Sequence, residues 1–432
     1  MIATVAFRTL GCRLNQAETD AIKSELISHN LSIVNLNEPA DLTVINSCAV
    51  TRAAEAKTRA GITATRRISP DGKIAVVGCY SQIAARELID IPGVSLVLGN
   101  NEKYNLFNFL EQIDRGKKIV SVSAPDRAPT TFHSAYHSPI DERIRANLKV
   151  QEGCDYYCAY CLIPHLRGQP RSRGIQDCIA ETRHLIQQGI QEIILTGINL
   201  GRYESKEGNL TTLIRHLLDD TTIPRLRLSS VEPDLVTPQL IELIAGEPRL
   251  CRYLHIPLQH GTDTVLVRMK RRYKIANYVA LVDRIKQRTP EICIGADVMV
   301  GFPGETESEF EQMYQFLADL DINYLHVFRY SARPGTPAAD LGDHLPDSEK
   351  KRRSEILRQL SRRKRTQFMA IFSGRDYPVL FEEKIADDLW QGLTDNYAKV
   401  RVLTKENLFN RIKKVRITHI WGDFLKGELL SE

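Results

Sequence analysis

Three cysteines within eight residues, Cys154, Cys158 and Cys161, constrain this chain more than any other feature. They lie in Gly153-Cys154-Asp155-Tyr156-Tyr157-Cys158-Ala159-Tyr160-Cys161, directly after the apolar run 148–150, so the loop is tethered to the end of a strand. Three and then two residues separate successive thiols, a spacing that lets one short loop turn all three toward a common centre. A zinc knuckle or an incidental group of buried cysteines is the ordinary alternative. A structural zinc site wants four protein ligands, however, and no fourth cysteine follows at a usual distance. His165, four residues on, reads as a loop side chain. The spacing suits a [4Fe-4S] cubane with three irons ligated and the fourth open. An open iron can chelate the amino and carboxylate groups of a methionine moiety, and an electron passed into its sulfonium breaks a carbon–sulfur bond.

Of the 432 residues, 43% are hydrophobic and 26% charged, the composition of a folded rather than a disordered chain. Single cores stop growing near about 250–300 residues, so two or three domains are expected. Apolar runs such as 74–78 and 193–197 are strand-length, far short of the roughly 18 residues that span a bilayer. The N-terminal Met1-Ile2-Ala3-Thr4-Val5-Ala6-Phe7 has no basic stretch ahead of a long apolar core. No secretory signal is read there, and a cytoplasmic location without a membrane partner is expected. In a reducing compartment the nine cysteines point to metal binding or catalysis rather than disulfides, and their odd number agrees. A net charge of +5 is compatible with nucleic acid without demanding it.

Strand-like and helix-like stretches alternate twice along the chain. In the first series the runs 3–7, 42–45 and 74–77 are followed by helix-like 18–29, 52–67 and 82–89. This predicts an α/β N-terminal domain, residues 1–115, built on a doubly wound parallel sheet. Each run is followed almost at once by a cysteine: Cys12, Cys48 and Cys79. Ligands gather at the carboxyl ends of such strands, so three thiolates are expected on one rim. Residues 116–139 are polar and aperiodic and read as a linker. Six further runs, 148–150, 193–195, 226–228, 254–256, 292–296 and 324–328, predict a partial (β/α)6 barrel within residues 140–371, with its chemistry at the C-terminal rim. That region ends in a basic amphipathic helix after Pro346. From Glu349 to Arg365 it carries nine Lys or Arg against two Glu, which from charge alone reads as a solvated face. Residues 372–432 turn strand-like and predict a small all-β module. Cys178, Cys251 and Cys293 lack ligand spacing and read as buried side chains.

These motifs resemble the radical S-adenosylmethionine (SAM) superfamily, and more closely its methylthiotransferases, across nearly the whole chain. The likeness rests on the Cys154–Cys161 loop and on Leu10-Gly11-Cys12-Arg13-Leu14-Asn15-Gln16, Val44-Ile45-Asn46-Ser47-Cys48-Ala49-Val50 and Val76-Val77-Gly78-Cys79. It implies two [4Fe-4S] clusters: a SAM-cleaving one on Cys154, Cys158 and Cys161, and an auxiliary one on Cys12, Cys48 and Cys79. Singly, each of the latter would more often be a packed small hydrophobe. Further likeness lies in 228–233, 255–261, 269–273 and 297–306. By resemblance Tyr160, Gly197, Ser229, Glu232 and Gln259 are candidates to contact SAM, and Gly301 and Gly304 to let backbone approach its adenine. A turn cap or a tight turn is the ordinary reading of each. Many superfamily members carry Gly-Gly-Glu after the second barrel strand, whereas this chain has Leu195-Thr196-Gly197-Ile198-Asn199.

The C-terminal module resembles the TRAM domain, an RNA-binding β-barrel, through Gly392-Leu393-Thr394-Asp395-Asn396-Tyr397 and Asn410-Arg411-Ile412-Lys413-Lys414-Val415-Arg416. Lys413, Lys414 and Arg416 would neutralise phosphates while Tyr397 or Phe409 stacks on an unpaired base. The expected substrate is a tRNA anticodon stem-loop. The wording of 11–16 and 394–397 is most similar to the branch acting on threonylcarbamoyladenosine, which implies sulfur and methyl insertion at C2 of that base. An aromatic C–H bond offers no leaving group, so a radical cofactor is needed. Branches acting on isopentenylated adenosine or on a ribosomal-protein aspartate, and a non-catalytic iron–sulfur RNA-binding protein, are the alternatives. A flavodoxin or ferredoxin reductant and a monomeric state are expected.

Overall fold

The computed structural model describes residues 2–125, 132–134 and 144–430. Its N-terminal sheet contains β1 (Thr4–Thr9), β2 (Ser32–Ile33), β3 (Leu42–Ser47), β4 (Lys73–Gly78), β5 (Val94–Leu98) and β6 (Ile119–Ser121). All are parallel, in the order β2-β1-β3-β4-β5-β6. Alternate side chains feed two cores. Val44, Ala75, Val77 and Leu96 pack with Ile22 and Leu26 of α1 (Arg13–Ser28). Ile45, Ile74, Val76 and Val97 pack with Ile62 of α2 (Arg52–Ile68) and Leu88 of α3 (Ser81–Ile89). The sheet is therefore doubly wound, because burial on both faces gives central strands such as β3 no polar side. α2 shows why its helix starts where it does: the Thr51 hydroxyl accepts from the Ala54 amide, Glu55 sits in the first turn, and Arg66 and Arg67 sit in the last.

The sheet continues past residue 115, where the sequence suggests a linker. β6 pairs with Leu96–Leu98, but three residues are too few to display a strand period. Residues 126–131 and 135–139 of that expected linker lie outside the described residues.

The central region has six parallel strands: β7 (Arg145–Lys149), β8 (Glu192–Thr196), β9 (Arg225–Leu228), β10 (Tyr253–His255), β11 (Cys293–Val300) and β12 (Tyr324–Arg329). They form two three-stranded halves, joined at Leu226–Leu250 and Ser230–His255. Amphipathic helices α4 (Ile175–Gln187), α5 (Leu210–Asp219), α6 (Pro238–Gly246), α7 (Ile275–Arg288) and α8 (Glu307–Asp319) cover its outside. The barrel is incomplete between β7 and β12, and the N-terminal domain spans the gap. On the β7 side Gln16 and Glu18 of α1 bond Asn147 and Lys149, at 3.2 and 2.9 Å. Beyond β12, the Arg52 amide donates to Ser331 at 3.3 Å and Arg333 pairs with Glu55.

α9 (Asp347–Ala370) is the expected basic helix, and its charge is used partly inward. Arg353 is buried on Glu305, Glu307 and Glu349, while Lys364 donates to the Ala318 and Leu320 carbonyls. Ser361 bonds both backbone groups of Leu325, masking the edge of β12. The closed C-terminal barrel comprises β13 (Asp376–Ala386), β14 (Leu389–Thr394), β15 (Lys399–Leu403), β16 (Ile412–Trp421) and β17 (Phe424–Leu429). It docks where β7, β8 and β9 begin. There Arg225 donates to the Leu393 and Pro378 carbonyls, and Arg227 bridges Glu192 and the Asp395 carbonyl. No described helix is long and apolar enough to cross a membrane.

Candidate active site

The loop bearing Cys154, Cys158 and Cys161 leaves the C-terminal end of β7 and is pinned along its length. Cys154 N–H bonds Gly168 O at 3.1 Å, Ala159 N–H bonds Met269 O at 2.9 Å, and Ala159 O accepts from Ala338 at 2.8 Å. Gly153 opens the loop at φ +76°, where an added Cβ would collide with the Gln169 carbonyl oxygen. Only glycine fits both restrictions. Donors converge on the sulfurs: Arg271 on Cys158 at 3.2 Å, the Ile163 amide on Cys161 at 3.4 Å, and Asn199 toward Cys154 at 4.0 Å. Such donors favour the thiolate, which is the ligating form. Burial, and then the neighbouring Cys158, push the Cys161 thiol up to about 12. Among the described residues, the one trio of potential ligand atoms within 4.8 Å of one another is His255, Asp297 and His326.

The rim beside this loop also fits SAM. Ser229 Oγ, after β9, and Asn199 Oδ1, after β8, are buried without a hydrogen-bond partner. Buried polar atoms normally have one, and a ligand would supply it. Gly197 lets Gln151 approach, since a Cβ there would meet the Gln151 side chain at 2.9 Å. Gln151 in turn accepts from the Asn199 amide and donates to the Glu152 and Gly153 carbonyls, each at 2.9 Å. Glu232 is held by Arg271; burial raises its carboxyl, and Arg271 opposes that rise. Burial raises Tyr160 well above the usual phenol range, so it stays neutral. Gln259 adopts φ +66° and its carbonyl accepts from Met299 at 2.7 Å. Gly301 and Gly304 both have left-handed φ. The room at Gly301 is taken by Lys350 of α9 rather than left for an adenine, and a Cβ at Gly304 would meet Arg268 at an ordinary 3.6 Å.

Cys12, Cys48 and Cys79 follow β1, β3 and β4 on one rim, Cys12 exposed and the other two buried. Gly11, at φ +103°, brings the strand ends together: a Cβ there would meet Cys48 Sγ at 3.1 Å. Burial pushes the Cys48 thiol up to about 11, with Cys79 and Cys12 adding to the rise. Two asparagines connect this triplet to a buried ionic network. Asn15 bonds Cys12 and accepts from Arg167 at 3.0 Å; Asn100 bonds Cys79 and accepts from Lys103 at 3.0 Å. Glu18 is the hub, bound by Lys103 at 2.6 Å, Arg167 at 2.7 Å and Lys149 at 2.9 Å. Glu152 accepts from Lys149 at 2.6 Å, Arg167 at 2.7 Å and the more exposed Arg171 at 2.9 Å. Arg167, Lys103, Lys149 and the more exposed Arg171 thus face two buried carboxylates, an excess of positive charge beside the three thiols that favours a negatively charged group there. No sequence motif marked this network, because its members come from segments far apart in the chain.

A cavity of about 200 Å³ opens beside Cys161. Val50 and Thr51, just after Cys48, line it together with Tyr160, Cys161, Gln259 and Asp297. The RNA-directed expectations fare unevenly. Lys414 and Arg416 are exposed, though both lie beside Asp376, and Lys413 stands 3.7 Å from Glu406. Tyr397 is corrected: its ring packs on Tyr253 at 4.7 Å and under Arg227 at 5.0 Å, and its hydroxyl accepts from Arg13. It therefore joins three domains instead of offering a free face. The exposed aromatics of the barrel are Phe409 and Trp421.

Residues 4–99 match the Uncharacterized protein family UPF0004, and residues 148–317 match the Radical SAM superfamily. The threonylcarbamoyladenosine tRNA methylthiotransferase MtaB of Bacillus subtilis is 34% identical over 438 residues, covering 99% of this chain and 97% of that protein. The chain belongs to the radical SAM methylthiotransferases. MtaB of Aquifex aeolicus is 36% identical, over 92% of this chain and 96% of its own length. A tRNA-2-methylthio-N(6)-dimethylallyladenosine synthase of Histophilus somni is 30% identical, over 100% and 93%. Among solved structures, the radical SAM methyltransferase TsrM from Kitasatospora setae superposes with a TM-score of 0.57 at 15% identity, over 78% of this chain and 74% of that one. That likeness is one of fold. Radical SAM methylthiotransferases use SAM and a [4Fe-4S] cluster.

Proposed function

We propose that this enzyme inserts sulfur and then a methyl group at C2 of N6-threonylcarbamoyladenosine, next to the anticodon of a tRNA. The observation that supports this reading is the crevice lined by Cys161 and by Val50 and Thr51, which follow Cys48; the MtaB relatives supply the base. When bound, a cluster on Cys154, Cys158 and Cys161 would supply reductive cleavage of SAM, and a second on Cys12, Cys48 and Cys79 would supply sulfur. The chain's own residues hold and exclude. Asn199 Oδ1 accepts from the methionine amine in place of the missing Gly-Gly-Glu acid, and Ser229 bonds the ribose or carboxylate. Neutral Tyr160 and the apolar side of the crevice keep water out. Lys413, Lys414 and Arg416 contact phosphates, and Phe409 and Trp421 take the stacking role. A flavodoxin- or ferredoxin-type donor supplies electrons to a monomeric enzyme in the cytoplasm.

The test is mass spectrometry of tRNA nucleosides from cells with and without the gene. Deletion removes 2-methylthio-threonylcarbamoyladenosine; if its level is unchanged and the isopentenyl counterpart disappears, the substrate assignment is wrong. In vitro, Cys158→Ala abolishes 5'-deoxyadenosine formation, whereas Cys12→Ala spares it and stops sulfur insertion. Equal loss in both variants would refute separate roles for the two triplets.

A further inference from the structure

The crevice beside Cys161 contains an unmatched positive charge. Arg329, exposed at the end of β12, lines it, and its guanidinium has no ion-pair or hydrogen-bond partner among the described residues. Four buried or part-buried arginines near the two sites are paired: Arg271 with Glu232, Arg333 with Glu55, Arg167 with Glu18 and Arg353 with Glu305. A free arginine on a convex surface is simply hydrated. Arg329 instead borders a concavity whose wall includes Phe328, 45% exposed, and Tyr330, 3% exposed with a hydroxyl that lacks a partner. The acid in that wall, Asp297, is already occupied: His255 lies 2.9 Å and His326 3.5 Å from the same Oδ1. A ligand that fills this space and carries an anion gains a charge-assisted contact with a cation that no described protein group neutralises.

We infer that Arg329 is the specificity-determining residue that receives the carboxylate of the threonylcarbamoyl group. This rests on the reading above and deepens it. A threonine joined through its amine to a carbamoyl keeps its α-carboxylate, which is negative at neutral pH. A dimethylallyl group is a neutral hydrocarbon and would leave the guanidinium desolvated and unpaired. A site built to bind a charged group rejects the analogue that lacks it far more strongly than an apolar pocket rejects an extra group. Phe328 and Met299 offer the apolar contact for the base, with Arg329 at its substituted edge. An oxyanion on Arg329 has a second conceivable source, a backbone phosphate of the RNA, and the experiment separates the two.

The anaerobic enzyme with its clusters is assayed on two synthetic anticodon stem-loops that carry threonylcarbamoyladenosine either as the free acid or as its uncharged carboxamide. Wild type prefers the acid at least tenfold in kcat/KM, about 1.4 kcal/mol. In Arg329→Gln that ratio collapses to within twofold, mainly through KM, and Arg329→Lys restores most of it because charge rather than fork geometry carries the effect. If Arg329→Gln weakens both RNAs equally, the arginine meets a phosphate and the inference is overturned. A wild-type ratio near one also overturns it while leaving the proposed function intact. If wild type ignores both RNAs and modifies an isopentenylated one, it is the proposed function that fails.

Discussion

Glu18→Gln isolates the charge balance beside the Cys12, Cys48 and Cys79 site. Glu18 is fully buried and is the only ion-pair partner of the equally buried Lys103 among the described residues. Burial alone would raise its carboxyl, but Arg167, Lys103 and Lys149 outweigh that and hold it well below the usual carboxylate range. An isosteric amide keeps the volume and leaves three buried cations against one carboxylate, Glu152. Removing one partner of a buried pair costs about 3–5 kcal/mol. The upper half is expected here because Lys103 keeps no carboxylate, just the Asn100 amide oxygen and the face of the Tyr104 ring. The assay is anaerobic urea unfolding with clusters bound, together with iron per chain and unfolding of Lys103→Met and the double variant. Lys103→Met on the Glu18→Gln background removes the orphaned charge, so the double variant recovers about 2 kcal/mol relative to additivity. The pH dependence is a second readout. Burial already lowers Lys103, and loss of Glu18 lowers it further below its unfolded value near 10.4. Between those two values the unfolded chain binds more protons, so the Glu18→Gln deficit shrinks as pH rises from 7 toward about 9. Additive single effects with a deficit independent of pH would refute the picture of a coupled network tuned to an anionic cluster.

Other consequences are equally open to measurement. Gly153→Ala, which needs a left-handed φ and collides with a carbonyl, costs about 1–3 kcal/mol, and iron bound at the Cys154 loop, read by Mössbauer or EPR spectroscopy, falls before the fold is lost. Arg271→Leu removes the cation 3.2 Å from Cys158 and orphans Glu232; 5'-deoxyadenosine formation is expected to drop at least about tenfold, and an unchanged rate would exclude a role at that sulfur. Burial would raise Glu192, but Arg227 outweighs it and depresses it to about 2. The joint between central and C-terminal barrels therefore has its full contribution, roughly 3 kcal/mol, above the unfolded value near 4.3 and loses it as pH falls toward 2. Hydrogen exchange at that joint in Glu192→Gln should show the loss already at pH 7. Lys414→Ala should shrink the slope of log affinity for stem-loop RNA against log salt by about 0.7–0.9; an unchanged slope would mean that its phosphate contact is absent.

Much of the fold was legible because period and punctuation agreed. The six central strands stand where short apolar runs alternate with amphipathic helices, and α9 begins after Pro346 as its charge pattern suggests. β6 was not legible, since three residues have no period, and nor was β2, which has only two. The cysteine sites could be read for the same kind of local reason: loop spacing in one case, and thiols just past strand ends in the other. Tyr397 shows where such reading stops. Its neighbours suggested an RNA-facing turn, but the docking of the C-terminal barrel pressed the ring against Tyr253 and Arg227, a contact spanning more than a hundred residues.

Sequence by itself marked the Cys154–Cys161 loop, most of the strands and helices, and the family the chain resembles, because each depends on neighbours within a turn, a loop or a short motif. Only the tertiary structure decided how charge is apportioned. Arg167 and Arg329 look alike in a string of letters, yet one is buried on Glu18 and Glu152 and the other faces a crevice unpaired. Coulomb energy and desolvation depend on distance and burial, and these exist only once distant segments have met.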